Sequence, residues 1–165
     1  MISIWLTPAK EDSAYLQDIV NELASEYRTP VFSPHCSLYS PTDLEAHELD
    51  KILEKAGEKV GSLYVTMDKL DHTTNIWKTV FIELEKSLEL ADLQHSLVSL
   101  IPDPKPYEFL PHISLIYKKM PGKQKEDIIR NLHVKNYFKM DKIAAIRTEP
   151  NVDNWETVVE IPFHA

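Results

Sequence analysis

The sequence predicts an α+β fold in which antiparallel strands and outer helices form two similar lobes around a central groove. Helical and strand patterns alternate along the 165 residues, with about seven strands and four helices. Helices interleaved with adjacent strand pairs are typical of this class. The pentad Pro-His-x-Ser-Leu occurs at 34–38 and again at 111–115, about half a chain apart. A motif repeated at the start of two strands indicates lobes related by a pseudo-twofold axis, within one domain over 1–165.

The N-terminal half is predicted from one strand, two helices and the first pentad. Apolar and polar residues alternate over 2–7, which predicts a strand. Proline suits the first turn of a helix, so a helix is expected over 8–27, with its apolar residues on one face. The pentad segment 35–39 is a short strand bounded by prolines. Thr42, with a glutamate three residues later, has the spacing of a capping box and predicts a helix that ends at the glycine at position 57.

The C-terminal half is predicted from the same patterns. Leucines recur at helical spacing after residue 87, and the proline-rich segment 101–111 is a loop, because proline removes backbone donors. The remaining predicted strands are 62–70, 77–84, 112–117, 137–147 and 155–163, and the remaining helices are 87–100 and 123–132.

Composition excludes several classes of protein. A chain of this size with 43% apolar residues buries roughly 70% of its unfolded surface, so it folds without a metal or a disulfide. The net charge of -8 argues against binding to long nucleic acid, but it allows a small anionic ligand in one cleft. Glycine-rich phosphate loops, a signal peptide and a membrane-spanning apolar run are not found in the sequence. The single cysteine, Cys36, rules out an internal disulfide and fits a reducing compartment, so we expect a cytoplasmic protein. We also expect a monomer.

The two pentads predict a pair of histidines and a pair of hydroxyls in the groove. Residues i and i+2 of a strand point to the same face, so His35 and Ser37 share a face, as do His112 and Ser114. The x and Leu positions are apolar in both copies and are expected to face the core, which places Cys36 away from the groove.

Two histidines and two hydroxyls supply what phosphodiester hydrolysis needs. Histidine has an ordinary pKa near 6.5, so near neutral pH one imidazole can be neutral and the other charged. The neutral ring takes a proton from water, and the charged ring gives one to the leaving oxygen. Hydroxyls hold the non-bridging oxygens, so this chemistry requires neither a metal nor a cofactor.

The chain resembles the 2H phosphoesterase superfamily and, within it, the cyclic phosphodiesterases of plant and yeast type. The matching segments are Ile4-Trp5, His35-Cys36-Ser37-Leu38, Val80-Phe81, His112-Ile113-Ser114-Leu115-Ile116-Tyr117 and Asn154-Trp155-Glu156-Thr157-Val158, which extend over nearly the whole chain. The resemblance implies two ferredoxin-like lobes around a water-filled groove. It also implies metal-independent opening of ADP-ribose 1″,2″-cyclic phosphate or of nucleoside 2′,3′-cyclic phosphates, the latter to 2′-phosphates.

The resemblance also implies roles for individual residues. His35 and His112 would be the catalytic pair, Ser37 and Ser114 would hold the phosphate, and Tyr117 would add a hydroxyl. Related enzymes are usually drawn with the second-motif histidine as the base, so His112 would activate water and His35 would protonate the leaving ribose oxygen. The near symmetry of the two pentads leaves the reverse assignment open. Tyr117 has the wrong parity for a flat strand and reaches the phosphate only if the strand twists or bulges.

Four aromatic residues are weighed separately. Trp5 lies on the polar face of its strand, which suits stacking on a base, a place in the groove wall, or a partly exposed core edge. Trp77 matches an aromatic position near the base in the resembled enzymes. Trp155 is predicted to be a core residue, because apolar strand residues follow it. Tyr39 either lines the groove or is structural.

Two other functions remain open. An enzyme that trims or joins RNA 3′ ends would need a basic track beside the groove, for which Lys78, Lys118 and Arg147 are candidates. A nucleotide-binding module that has lost catalysis is a second alternative, although both pentads are complete. The expected partner is therefore a small cyclic-phosphate nucleotide, with an RNA end as the alternative and no membrane or metal involved.

Overall fold

The computed structural model describes residues 1–164 and confirms the α+β class. Its elements are β1 (Ile2–Pro8), α1 (Lys10–Tyr27), β2 (Cys36–Thr42), α2 (Ala46–Gly57), β3 (Leu63–His72), β4 (Val80–Leu84), α3 (Leu88–Leu100), β5 (His112–Ile116), α4 (Gly122–Asn131), β6 (Tyr137–Arg147) and β7 (Glu156–Pro162), with 3₁₀ turns at Ile76–Lys78 and Val152–Asn154. None of the helices among residues 1–164 is long and apolar enough to cross a bilayer.

The two halves of the molecule are joined through one long strand, β3. The strand order is β2-β1-β6-β3-β4-β5, with β7 also paired to β6, and every pairing is antiparallel. The first four residues of β3 pair with β6, and from Met67 onward the strand pairs with β4. The β1–β2 and β4–β5 pairs therefore hold corresponding positions in the two halves, and each contains one of the pentads.

Alternation along the strands separates a large core from a second, smaller face. On β1, Ile4 and Leu6 belong to the main core, together with Leu16 of α1. Trp5, on the opposite face of β1, packs with Ala144 and with another residue of β6. Because the helices pack over the apolar faces of the strands, the opposite faces remain available to form the cleft.

Two helix starts differ from the prediction. Pro8 closes β1 instead of opening a helix, because it still pairs with β6, and α1 begins at Lys10. Thr42 likewise remains in β2, so the N-cap of α2 moves three residues along to Glu45. The capping box is present, but it joins Glu45 to Glu48.

The predicted strand at 77–84 begins later than expected. Trp77 lies in a 3₁₀ turn, because the side chain of Asn75 accepts the backbone N–H of Trp77 at 3.0 Å. The hydroxyl of Thr79 then donates to a carbonyl of the same turn at 2.8 Å, and β4 starts at Val80. These side-chain hydrogen bonds compete with sheet pairing and hold Trp77 outside the strand.

Candidate active site

Each pentad carries a β-bulge at its leucine. In the first half, Trp5 pairs with Ser37 but Ile4 pairs with Tyr39, so Leu38 is the extra residue. A bulge inserts one residue and reverses the alternation beyond it. Tyr39 is therefore buried, with its hydroxyl against the backbone of Lys105, and it takes the structural one of its two predicted roles.

The second half repeats this bulge at the equivalent position. Phe81 pairs with Ser114 and Val80 pairs with Ile116, so Leu115 is the extra residue. This bulge is the strand distortion that Tyr117 needs in order to face the same way as His112, and Tyr117 lines the cleft. Ser40, five residues after the first histidine as Tyr117 is after the second, reaches it too.

The cleft is a cavity of about 840 Å³ that brings together all seven site residues expected from the sequence. These residues are Trp5, His35, Ser37, Trp77, His112, Ser114 and Tyr117. The lining is completed by Met1, Ser3, Ser40, Asn75, Lys78, Tyr107, Thr148, Glu149, Pro150 and Trp155. Both pentads and both halves of the chain therefore contribute to one site.

The two histidines are held in the same way. Nδ1 of His35 lies 2.7 Å from the carbonyl oxygen of Ser33, and Nδ1 of His112 lies 2.8 Å from that of Leu110. A carbonyl only accepts, so Nδ1 donates its hydrogen and the lone pair of the neutral ring lies on Nε2. Both histidines line the cavity, and in each of them Nε2 is the ring nitrogen left without a hydrogen.

His35 is the more deeply covered of the pair. Its imidazole lies flat on the indole of Trp5, with ring centroids 3.4 Å apart and planes 7° from parallel. Burial lowers the pKa of His35 to about 4, although the hydrogen bond to the Ser33 carbonyl opposes this shift, and the nearby charge of His112 adds to it. His35 is therefore neutral at neutral pH in the free protein.

His112 has a more open and more charged environment. The ring centroids of His112 and Phe81 lie 5.5 Å apart, with the ring planes at 73° to each other. Burial also lowers the pKa of His112, and the hydrogen bond to the Leu110 carbonyl opposes that shift. Two charges act in opposite directions, because Lys78 lowers the pKa of His112 and Glu83 raises it.

Hydroxyl groups lie beside the histidines. Ser114 is buried and donates its hydroxyl to the carbonyl of Trp77 at 2.8 Å, which ties the pentad to the turn that carries this tryptophan. Tyr117 is also buried; burial raises its pKa, and the nearby Ser114 hydroxyl opposes that shift. Tyr117 therefore keeps its phenolic hydrogen at neutral pH and is available as a donor.

The aromatic wall of the cleft corrects the prediction for Trp155. Trp155 was expected in the core, but it is only half-buried and lines the cavity, with its ring 5.9 Å from Trp77 and 6.0 Å from Tyr117. It precedes β7, so the alternation of that strand does not apply to it, and its indole donates to the carbonyl of Glu149 at 2.7 Å.

The two other tryptophans differ in their exposure. Trp77 is 42% exposed and presents a free surface to the cleft. Trp5 is only 4% exposed, and the ring face that could have stacked on a base is covered by His35. Trp5 thus supports the first histidine, and Trp77 and Trp155 provide the open aromatic wall.

We expect this difference in burial to appear in stability. Trp5→Ala should lower the free energy of unfolding by about 3–5 kcal/mol, because it leaves a cavity beneath His35. Trp77→Ala, at an exposed site, should change it by only about 0.5 kcal/mol. Urea denaturation of the two variants and the parent protein tests this, and equal losses in the two variants would contradict the assignment of Trp5 to a supporting position.

The candidate basic residues do not form a track along the cleft. Lys78 lines the cavity, with its ammonium 4.5 Å from the ring centre of Phe81. Lys118 donates to the carbonyl of Tyr27 at 2.7 Å, and Arg147 pairs with a glutamate of β7 at 3.1 Å. Two of the three candidates are therefore engaged elsewhere.

Two further observations concern the cysteine of the first pentad and possible metal ligands. Cys36 lies on the core side, as its strand position predicts, and burial raises the pKa of its thiol to about 12. Within residues 1–164, no three His, Cys, Asp or Glu side chains are grouped so that they could hold a metal ion.

Eight cavity residues were missed by the reasoning from sequence, among them Ser40, Asn75, Tyr107 and Glu149. Ser40 could have been found, because it occupies the position of Tyr117 in the other pentad copy. Asn75, Tyr107 and Glu149 come from turns and loops, where no periodic pattern shows which way a side chain points.

Comparison with known proteins gives one consistent result. The family model described as cyclic phosphodiesterase-like protein matches residues 1–163. The cyclic phosphodiesterase of Arabidopsis thaliana is 22% identical over 165 residues, covering 94% of this chain and 91% of that protein.

Solved structures share the fold. The crystal structure of E. coli LigT complexed with 3′-AMP has a TM-score of 0.66 at 11% identity and covers 99% of this chain and 98% of its own. The crystal structure of TT0787 of Thermus thermophilus has a TM-score of 0.65 at 14% identity, with 98% and 97% covered.

These similarities confirm the resemblance that the pentads carry and the class of enzyme that it implies. The family model spans both pentads and all the strands described above, and the structural neighbours cover both halves of the sheet. The chain therefore belongs to the cyclic phosphodiesterase-like protein family, within the 2H phosphoesterase superfamily.

Proposed function

We propose that this protein opens a ribose cyclic phosphate, without a metal ion, by acid–base catalysis between His35 and His112. The main support is the arrangement of the two imidazoles in one cavity. Each has Nδ1 on a backbone carbonyl two residues earlier, which leaves Nε2 for proton transfer. All the residues invoked belong to one chain, so we propose that a monomer is sufficient.

The reaction adds one water across one P–O bond. The neutral histidine accepts a proton from water, and the water oxygen attacks phosphorus. The P–O bond to one ribose oxygen breaks, and the protonated histidine gives its proton to that oxygen. The two histidines end with exchanged protonation states, which proton exchange with solvent restores.

Hydroxyls stabilise the charge that develops on phosphorus. Ser37, Ser114 and Tyr117 line the same cavity as the histidines and are the donors we assign to the non-bridging oxygens. Ser114 reaches the phosphate by turning its hydrogen away from the Trp77 carbonyl, which accepts it in the free protein. Donors placed where charge develops contribute strongly in a site shielded from water.

The cavity suits a small nucleotide. Trp77 and Trp155 offer aromatic surface on which a base can stack, a contact worth about 1–3 kcal/mol. The solved complexes of E. coli LigT with 3′-AMP, ATP and NADP+ support a nucleotide ligand for this fold. The proposed reactions convert a nucleoside 2′,3′-cyclic phosphate to the 2′-phosphate, or ADP-ribose 1″,2″-cyclic phosphate to ADP-ribose 1″-phosphate.

Phosphorus NMR tests the proposed function. The protein is incubated with each cyclic phosphate in excess EDTA, and ring opening is expected to persist, because the proposed groups are all side chains. The chemical shift of the product identifies the bond that breaks. Loss of turnover in EDTA would overturn metal independence. No opening of either substrate would overturn the proposed substrate class, and binding without turnover would favour the nucleotide-binding module.

A further inference from the structure

The pseudo-symmetry of the site is broken beside the two histidines. On β4, Glu83 pairs directly with His112. On β1, Leu6 pairs with Cys36, so the position equivalent to Glu83 is the next residue, Thr7. The hydroxyl of Thr7 faces the backbone carbonyl of Lys142 at 3.5 Å and carries no charge. One histidine therefore has a carboxylate as its cross-strand neighbour and the other does not.

Glu83 stands in a row of charges across three strands. Its Oε2 atom is buried and makes no hydrogen bond, and the ammonium of Lys69 on β3 lies 3.6 Å away. Lys69 is shared with Asp71, at 3.5 Å. Directly opposed residues of an antiparallel pair have Cβ atoms about 5 Å apart, so Glu83 and His112 are within electrostatic reach of each other. A buried carboxylate oxygen without a hydrogen bond is stabilised by a positive charge nearby.

The charged groups that face His112 come from three elements. Lys78 approaches from the 3₁₀ turn and disfavours the imidazolium, and His35 faces it across the cavity. Glu83 on β4 favours the imidazolium. His35, by contrast, is covered by Trp5, and the charge that acts on it is that of His112.

We propose that Glu83 is a positioning residue that keeps the catalytic proton on His112, so that His112 is the general acid and His35 the general base. This inference rests on the proposed function, and it is the reverse of the assignment that the family resemblance implies. A carboxylate close to an imidazole favours its charged form. Burial lowers the pKa of both rings, but only His112 has a carboxylate that opposes this shift, so a proton held by the pair favours His112.

The tuning is tested by the titration of His112 in the full-length protein without substrate, followed by NMR of the imidazole. In Glu83→Gln the pKa of His112 should fall by about 0.5–1 pH unit, because the favourable charge is gone. In Lys69→Met it should rise, because Glu83 is no longer neutralised. Asp71→Asn, which removes the other partner of Lys69, is the matched control and should move His112 less than Glu83→Gln does.

Opposite shifts in two variants of one charge row cannot come from a general loss of structure. An unchanged pKa of His112 in both Glu83→Gln and Lys69→Met would overturn the role of Glu83. The titration needs no turnover, so it stands even if neither cyclic phosphate is opened. Ring opening with an unmoved His112 would instead retain the proposed function and remove this inference.

Kinetics tests which histidine is the acid. The general acid must be protonated, so activity is lost above its pKa, and Glu83→Gln should move the alkaline limb of kcat/KM to lower pH. A 4-nitrophenyl phosphodiester needs little help from an acid, because nitrophenolate leaves unaided. The loss of activity caused by His112→Ala should therefore be at least about tenfold smaller on that substrate than in ring opening. The loss caused by His35→Ala should be similar on the two substrates. The reverse pattern would overturn the assignment.

Discussion

Replacing either His35 or His112 with alanine should reduce ring opening by about 10²–10⁴-fold. Each ring performs one of two proton transfers, and positioned acid–base groups contribute factors of this size. The activity of the double variant should be little lower than that of the less active single variant, because the effects of groups that act as a unit are not additive. Phosphorus NMR or a coupled assay of kcat/KM measures the losses.

A surface histidine provides the matched control. His95 is exposed on α3 and does not line the cavity, so His95→Ala should retain the parent rate. A large loss in only one of His35→Ala and His112→Ala would contradict a two-histidine mechanism. Independent, multiplying losses in the double variant would contradict their action as a pair.

Removing the Ser37 or the Ser114 hydroxyl should lower kcat by about 10²–10³-fold, the effect of removing one donor from a site of developing charge. Ser37→Thr keeps the hydroxyl and should retain most of the activity. Ser99 is exposed on α3, and Ser99→Ala is the matched control for a serine outside the cavity.

Ser114 needs one further comparison, because its hydroxyl also holds the Trp77 carbonyl. If the main effect of Ser114→Ala is to loosen that turn, KM rises and kcat changes little, as expected for Trp77→Ala, which removes a stacking surface. If Ser114 stabilises the transition state, kcat falls. A rise in KM alone would remove Ser114 from the proposed set of phosphate donors.

Much of the fold could be predicted from local pattern. Alternation over residues 2–7 predicted β1, and the leucines after residue 87 predicted α3, because burying one face requires apolar residues at the period of the element. The errors in the predicted secondary structure lie at the ends of helices and strands. Pro8 and Thr42 have the residue types that begin helices, but both are still paired in the sheet. Local propensity is weaker than a pairing made with a distant strand.

The sequence predicted the part of the site that the two pentads contribute. Two copies of one pentad predicted that His35 and His112 share a cleft with Ser37 and Ser114, and the cavity contains all four. Tyr117 lies five residues after His112, so on a flat strand its side chain would point away from the cleft. The sequence showed that a strand distortion was needed, but not that one is present. The bulge at Leu115 supplies it, and a bulge depends on the register with β4 as well as on the residues of β5.

By itself, the sequence determined the order of the elements, the repeated pentad and the types of group that enter the cleft. The tertiary structure decided the environment of each group. In the structure Trp5 lies beneath His35 and Glu83 lies opposite His112, and Trp155 lines the cavity instead of the core that the sequence predicted. The physical reason is that periodicity depends on neighbours along the chain, whereas burial, cross-strand register and electrostatic environment depend on residues that the fold brings together from far apart in the sequence.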